Sequence, residues 1–428
     1  MIKIEGVARV QVSSPNATVL MGCELSMRIT RELLNNCLGK ICAAHPLLTM
    51  PVEISANNEA ILVPSKTNEF FFLEYENSSY GAIVTDHIKE EWALGKSFIK
   101  FIINQIDDHS QIIVCCNHAI CDGLSLVHLL EDMAAYLVEG VIPDEEKVTL
   151  LHPKTLQQKQ GAWPYKIMAR LMAYQWKKHQ IQLTQEMLSE IHNAYWNTNK
   201  VALKSLSLGT EETQNIIRNA KMHGVSVNTY LTAVLYKSQQ VLPNRPYTNN
   251  CIISVNLRDK MSPHPGRQLG YFVTAIGLRF SKLSTDSSKW LTRLQHKINR
   301  KLNSKSLFRS LALYFFDPTF FDLIQLNKFH IRNDRSLQNI VKKQSVGIKK
   351  AFALTNLGIL RVNKSSEHAI TQFLPLVLAS DSFEKYISVF TYKGKMTLAL
   401  CYDPSKIPTE DIDRYALKVK QLLLNDSI

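Results

Sequence analysis

The chain has 428 residues, 45% of them hydrophobic and 20% charged, and 50 Lys and Arg against 37 Asp and Glu give a net charge of +13. That length exceeds what one ordinary core accommodates and points to two lobes. Ample apolar content without a Pro, Gly or Ser excess excludes disordered, collagen-like and low-complexity classes.

The opening segment, Met1 to Val12, alternates as a strand does and carries no signal-peptide pattern. Ile29 to Ala44 repeats apolar residues at helical spacing and stops before His45-Pro46, since a residue preceding proline is pushed out of the helical region. Phe70 to Tyr75 and Ser97 to Asn104 read as strands, and Gln111 to Asn117 as a strand covered on both faces. Leu124 to Val138 follows as a buried helix. Glu139 to Thr155, punctuated by Pro143 and Pro153, reads as a linker.

Beyond the linker, Trp163 to Asn199 is basic, aromatic and mostly helical. Within it, Trp163 to Lys178 reads as a connecting helix with a solvated basic face, and the alternative of an interfacial helix leaves peripheral membrane contact open. Gly224 to Leu242 predicts a helix capped by Ser226. Strands follow at Cys251 to Val255, Tyr271 to Phe280, Ala351 to Thr355, Lys385 to Tyr392 and Lys395 to Tyr402, the last two joined by a tight Lys393-Gly394 turn. The Phe-rich Leu307 to Phe329 stretch either walls an apolar pocket or packs as core. Asp411 to Leu424 is a final helix.

The most apolar windows fall far short of the roughly 18 to 20 residues that a membrane-spanning helix needs. Eight cysteines, at 23, 37, 42, 115, 116, 121, 251 and 401, include no C-x-x-C and no metal-ligand spacing. They read as free buried thiols in a reducing, cytoplasmic setting, with no metal. Basic residues are spread through Lys154 to Lys178, Lys297 to Arg309 and Lys328 to Lys350 with no nucleic-acid-binding signature, so no nucleic-acid partner is expected.

The segment that carries chemistry is Val114 to Gly123, in which a buried strand delivers His118 into a short turn ending in Asp122-Gly123 and a helix. Taken singly, an Asp before an apolar helix is an ordinary N-cap and a lone His an ordinary core residue. Together they suit a rigidly held base with an unperturbed pKa near neutrality, an acid that fixes the turn, and a glycine open to close approach.

Asn117-His118-Ala119-Ile120-Cys121-Asp122-Gly123 resembles the H-H-x-x-x-D-G motif of the chloramphenicol acetyltransferase-like acyltransferases, a superfamily that includes peptide-synthetase condensation domains. The resemblance runs over nearly the whole chain. It takes in Ala43 to Leu48, Gly224 to Ala233, Val255-Asn256-Leu257-Arg258, Leu269 to Val273, Thr355-Asn356-Leu357-Gly358 and Thr391 to Lys395. Asn117 replaces the first His and no D-F-G-W-G stretch occurs, so the chain is most similar to stand-alone members such as phthiocerol/phthiodiolone dimycocerosyl transferase and alcohol acetyltransferases.

The resemblance implies an α/β fold of two lobes, each a mixed sheet with helices, around a central channel. Residues 1–155 and 201–428 would form the lobes and 156–200 a connecting helical segment. It implies His118 as general base, Asp122 paired bidentately with Arg258, Gly123 near the oxyanion, Asn256 in support, and Thr355 and Asn356 at the channel floor. The co-substrate would be acyl-CoA or a phosphopantetheine thioester on an acyl carrier protein, the acceptor an alcohol or amine, and the protein a monomer without a tightly bound cofactor. A condensation-type amide-forming enzyme and a catalytically silent binding relative are the alternatives. The positive charge would attract CoA phosphates or an acidic carrier.

Overall fold

A computed structural model of the chain describes residues 1–428 except 66–71, 142–147, 149, 157–166, 168–180, 243–248, 281–285, 304–306, 308–312, 334–337, 339–351, 380–382 and 426–428. Most of the basic Trp163 to Lys178 segment therefore lies outside the described residues, as do 142–147 and 149 of the 139–155 linker, 309 and much of 328–350.

In the first part of the chain the strands are β1 (Ile2–Ile4), β2 (Thr18–Leu25), β3 (Val52–Ile54), β4 (Ala60–Leu62), β5 (Phe72–Glu76), β6 (Ile99–Ile106) and β7 (His109–Asn117). The remainder supplies β8 (Ala202–Leu208), β9 (Asn250–Asn256), β10 (Val273–Arg279), β11 (Phe352–Ile359), β12 (Ile370–Leu378), β13 (Lys385–Tyr392) and β14 (Lys395–Tyr402). They form a small sheet β1-β4-β3, a five-stranded sheet β12-β2-β7-β6-β5 and a six-stranded sheet β10-β9-β11-β13-β14-β8. Both large sheets mix parallel and antiparallel pairs: β5 runs parallel to β6, and β11 runs parallel to both β9 and β13. This is the expected two-lobed α/β architecture.

Local chemistry accounts for most elements. Thr30 caps the helix Arg31–Ala44 by accepting from the Leu33 amide at 3.1 Å, and Ser226 caps Val227–Lys237 in the same way through Thr229. The β13–β14 hairpin turns on Lys393 and Gly394, both at positive φ (46° and 76°), the geometry that lets a two-residue turn follow the twist of its strands. The strand β7 is buried along nearly its whole length, and the helix Gly123–Glu139 packs against it and β2.

Three expectations are corrected. Only Ile2–Ile4 of the opening segment is strand; Gly6–Val12 is helical, its Arg9 turned inward onto Asp322. The strand β12, from the 201–428 segment, pairs antiparallel with β2 of the first lobe, Phe373 opposite Cys23 and Leu374 opposite Gly22. The β2 edge would otherwise stand open, so the second segment supplies a strand to the first sheet. Finally, Cys116 and Cys121 form a disulfide, because the turn after β7 folds Cys121 back to the strand end. The other six cysteines are buried and outside any disulfide, but a reducing compartment loses the support that eight unbridged cysteines gave it. Among the described residues no helix is long and apolar enough to cross a membrane.

Candidate active site

His118 stands one residue past the end of β7. Its backbone N–H donates to the Ala17 carbonyl at 2.7 Å, and the buried Asn117 side chain accepts from the Ala119 amide at 2.8 Å, so both arms of the turn are pinned. The imidazole Nδ1 lies 2.7 Å from the Cys121 carbonyl oxygen. A carbonyl only accepts, so Nδ1 carries the proton and the neutral ring presents its lone pair at Nε2. The Tyr271 ring lies 4.8 Å away, tilted by 57°. Burial is the strongest influence on the ring and pulls its pKa below the usual value near 6.5, with the Cys121 carbonyl and then Asp122 acting the other way.

Asp122 spends its hydrogen bonds on groups other than His118 and holds the structure around it. Its Oδ1 accepts from the amide and hydroxyl of Ser125 at 2.8 and 3.0 Å, capping the helix Gly123–Glu139. Its Oδ2 accepts from Arg258 Nη1 at 2.8 Å and from the Phe272 amide at 3.0 Å. The expected bidentate pairing is not what forms: Arg258 Nη2 donates instead to Ser125 Oγ at 2.9 Å and to the Gln268 carbonyl at 3.2 Å. The helix cap already occupies Oδ1, so the guanidinium shares itself among three acceptors and lies over the Phe272 ring at 4.6 Å. Burial acts on Asp122 most strongly and opposes its charge, yet Arg258 and the hydrogen bonds from Ser125 and Phe272 together hold its carboxyl below the usual range.

Gly123 lines the smaller cavity and also serves packing. A Cβ there would meet the Leu376 and Leu357 side chains at 2.8 and 3.0 Å, so the glycine lets the start of the helix sit directly beneath β12 and β11. Asn256 accepts from the Arg258 amide at 3.0 Å and closes a short turn at the end of β9, whereas Asn356 accepts from the Gly358 amide at 2.9 Å within β11, where the pairing with β13 shifts register. The Thr355 hydroxyl lies 2.8 Å from Ser254 Oγ and 2.7 Å from the Tyr386 hydroxyl.

Two cavities meet at His118. One of about 60 Å³ is lined by Asp122, Gly123, Asn256, Thr355 and Asn356, so every site residue named from the sequence except Arg258 faces it. The other, of about 430 Å³, extends past Tyr271 between β10, the helix Gly6–Val12 and the helix Pro318–Lys328. His118, Ser254, Val273, Leu378 and Tyr386 line both. From the Phe-rich stretch, the large cavity receives Ile324, Gln325 and Lys328, whereas Phe320 and Phe321 are buried in a separate core cluster with Ile181 and Ile191.

Sequence reasoning passed over Ser125, Ser254, Tyr271 and Tyr386. Ser254 did carry a signal, since it lies two positions before Asn256 and a strand places such residues on one face. Tyr271 was read as strand, whereas β10 begins at Val273.

Residues 107–314 match the Transferase family. No curated protein matches the chain in sequence. Solved structures share the fold across its whole length. The trichothecene 15-O-acetyltransferase from Fusarium sporotrichioides is 12% identical, with a TM-score of 0.67, covering 99% of this chain and 95% of that one. Polyketide synthase associated protein 5 from Mycobacterium tuberculosis is 12% identical at TM-score 0.62, covering all of both chains. The first condensation domain of the CDA synthetase is 9% identical at TM-score 0.65, covering 99% of this chain and 95% of that one. Residues 107–314 thus match the Transferase family within a chain whose fold is that of these acetyltransferase and condensation-domain structures.

Proposed function

We propose that this chain transfers an acyl group from a CoA or carrier-protein thioester to an alcohol or amine, with His118 as general base. The observation that carries this reading is the position of His118 Nε2. The proton is fixed on Nδ1, and the ring lines both a small and a large cavity, so two substrates that enter separately can meet at one lone pair.

The acceptor's O–H or N–H proton passes to Nε2 as its heteroatom attacks the thioester carbonyl carbon. Gly123 lines the smaller cavity at the first turn of its helix, where backbone N–H groups lack intrahelical acceptors and the helix dipole favours negative charge; this is where the developing oxyanion is favoured. Collapse breaks the C–S bond, and the imidazolium returns its proton to the leaving thiolate. Asp122 takes no part in proton transfer, because both of its oxygens are occupied by Ser125, Arg258 and Phe272.

Asn117 in place of a first histidine supports a stand-alone acyltransferase over a condensation-type enzyme, since its side chain is committed to the Ala119 amide. The test is His118→Ala, assayed by free-thiol release over a panel of acyl-CoA and acyl-phosphopantetheine donors with alcohol and amine acceptors. The variant is expected to keep the wild-type melting temperature and lose about 10² to 10⁴ in turnover. Wild-type turnover in His118→Ala overturns the assignment.

A further inference from the structure

We propose that the Cys116–Cys121 disulfide is a positioning device for His118: it holds the carbonyl that orients the ring, so the bridged chain turns over faster than the reduced one. The proposal rests on the reading of His118 as general base and adds what keeps that base in place.

The bridge encloses the residue it serves. Cys116 and Cys121 lie five positions apart with His118 between them. Cys116 belongs to β7, the middle strand of the five-stranded sheet, where it pairs with Val19 of β2 on one side and Ile99 of β6 on the other. Cys121 belongs to the turn. It stands between Ile120, whose amide donates to the Asn117 carbonyl at 3.1 Å, and Asp122, which caps the next helix. The bridge therefore ties a turn residue to the centre of a sheet, and both cysteines are buried.

What the bridge holds is the Cys121 carbonyl. That oxygen accepts from His118 Nδ1 at 2.7 Å, which selects the tautomer whose Nε2 lone pair is available at the two cavities. Asp122 does not orient the imidazole, since its oxygens accept from Ser125, Arg258 and Phe272. The aim of the base thus depends on a backbone oxygen, and that oxygen on how firmly the turn is closed.

A dithiol reductant opens the turn. The S–S bond breaks, the reductant supplies two electrons and two protons, Cys116 and Cys121 become thiols, and the reductant closes to its own disulfide. A loop no longer closed by a covalent bond has more conformations open to it. The Nδ1 contact then competes with other ring orientations. Misplacing a reacting group by about 1 Å costs up to about 10²-fold in rate, and because the group removed from its place is the base, the loss falls on kcat rather than KM.

The experiment starts from the wild-type chain as purified. Alkylation of the denatured chain before and after reduction, read by peptide mass spectrometry, should find Cys116 joined to Cys121; free thiols at both positions overturn the proposal. Turnover is then measured as acylated product by mass spectrometry, with melting temperatures recorded, over CoA and phosphopantetheine donors with alcohol and amine acceptors. The double variant Cys116→Ala with Cys121→Ala is compared with wild type that dithiothreitol has reduced, with the reductant then removed. Each is expected to lower kcat by about 10-fold with KM within about twofold. Reoxidation should restore kcat in wild type and leave the double variant slow. A lowered melting temperature with unchanged kcat in the folded fraction of both forms makes the bridge a structural staple and overturns the positioning role. If His118→Ala loses turnover while both bridge-free forms keep kcat within about twofold of wild type, the proposal falls and the acyl-transfer reading stands. If bridged wild type transfers no acyl group from any donor, both fall.

Discussion

Arg258 Nη1 meets Asp122 Oδ2 at 2.8 Å across 136 positions of chain, and both side chains are almost entirely buried. The contact joins the turn that holds His118, in the first lobe, to the end of β9 in the second. Neither charge tolerates burial without the other, so the pair ties the two sheets together at the site where their cavities meet.

Removing one partner should therefore cost far more than removing both. Asp122→Ala leaves Arg258 charged and buried, strips the helix Gly123–Glu139 of its cap, and is expected to destabilise the protein by about 3 to 5 kcal/mol. The double variant Asp122→Leu with Arg258→Leu should melt closer to wild type than Arg258→Leu alone. Additive losses in the double variant, read from denaturant midpoints, would show that the two residues act independently.

The lowered pKa of His118 sets the sign of the pH dependence. A general base acts when neutral, and burial keeps this imidazole neutral to lower pH than the ordinary value near 6.5. Turnover at saturating substrate should hold constant through neutrality and fall on the acid side with a midpoint below 6.5. A midpoint above that value in a kcat–pH profile would mean that the ring is better solvated than its surroundings in the structure indicate.

Much of this site was legible because its elements are local. The strand-turn-helix around His118, the capping role of Asp122 and the Lys393-Gly394 hairpin each depend on residues within a few positions of one another. What escaped depends on register between distant segments. The β12 strand joins the first sheet through pairing with β2 more than 340 positions away, as the Thr371 hydroxyl donating to the Glu24 carbonyl at a separation of 347 illustrates. Ser254, Thr355 and Tyr386 come together only because β11 lies between β9 and β13. The bidentate arrangement expected at Arg258 failed for a local reason, since the helix cap had already taken one oxygen of Asp122.

A true bidentate pair occurs elsewhere, between Arg9 and Asp322, with contacts of 3.0 and 2.6 Å and both side chains buried. Asn58 completes it by donating to Asp322 at 2.7 Å, while its own carbonyl accepts from Arg9 at 3.3 Å. The pair clamps the helix Gly6–Val12 against the helix Pro318–Lys328, and both helices wall the large cavity. Asp322→Ala should destabilise the fold by about 3 to 5 kcal/mol, because it strands a buried guanidinium. Since the clamp lies behind the cavity wall and not at His118, the folded fraction should show a raised KM for the substrate in that cavity with kcat changed less. Replacing the pair by Arg9→Met with Asp322→Leu should restore much of the melting temperature. An Asp322→Ala protein with wild-type melting and wild-type KM would remove the clamp from any part in shaping the cavity.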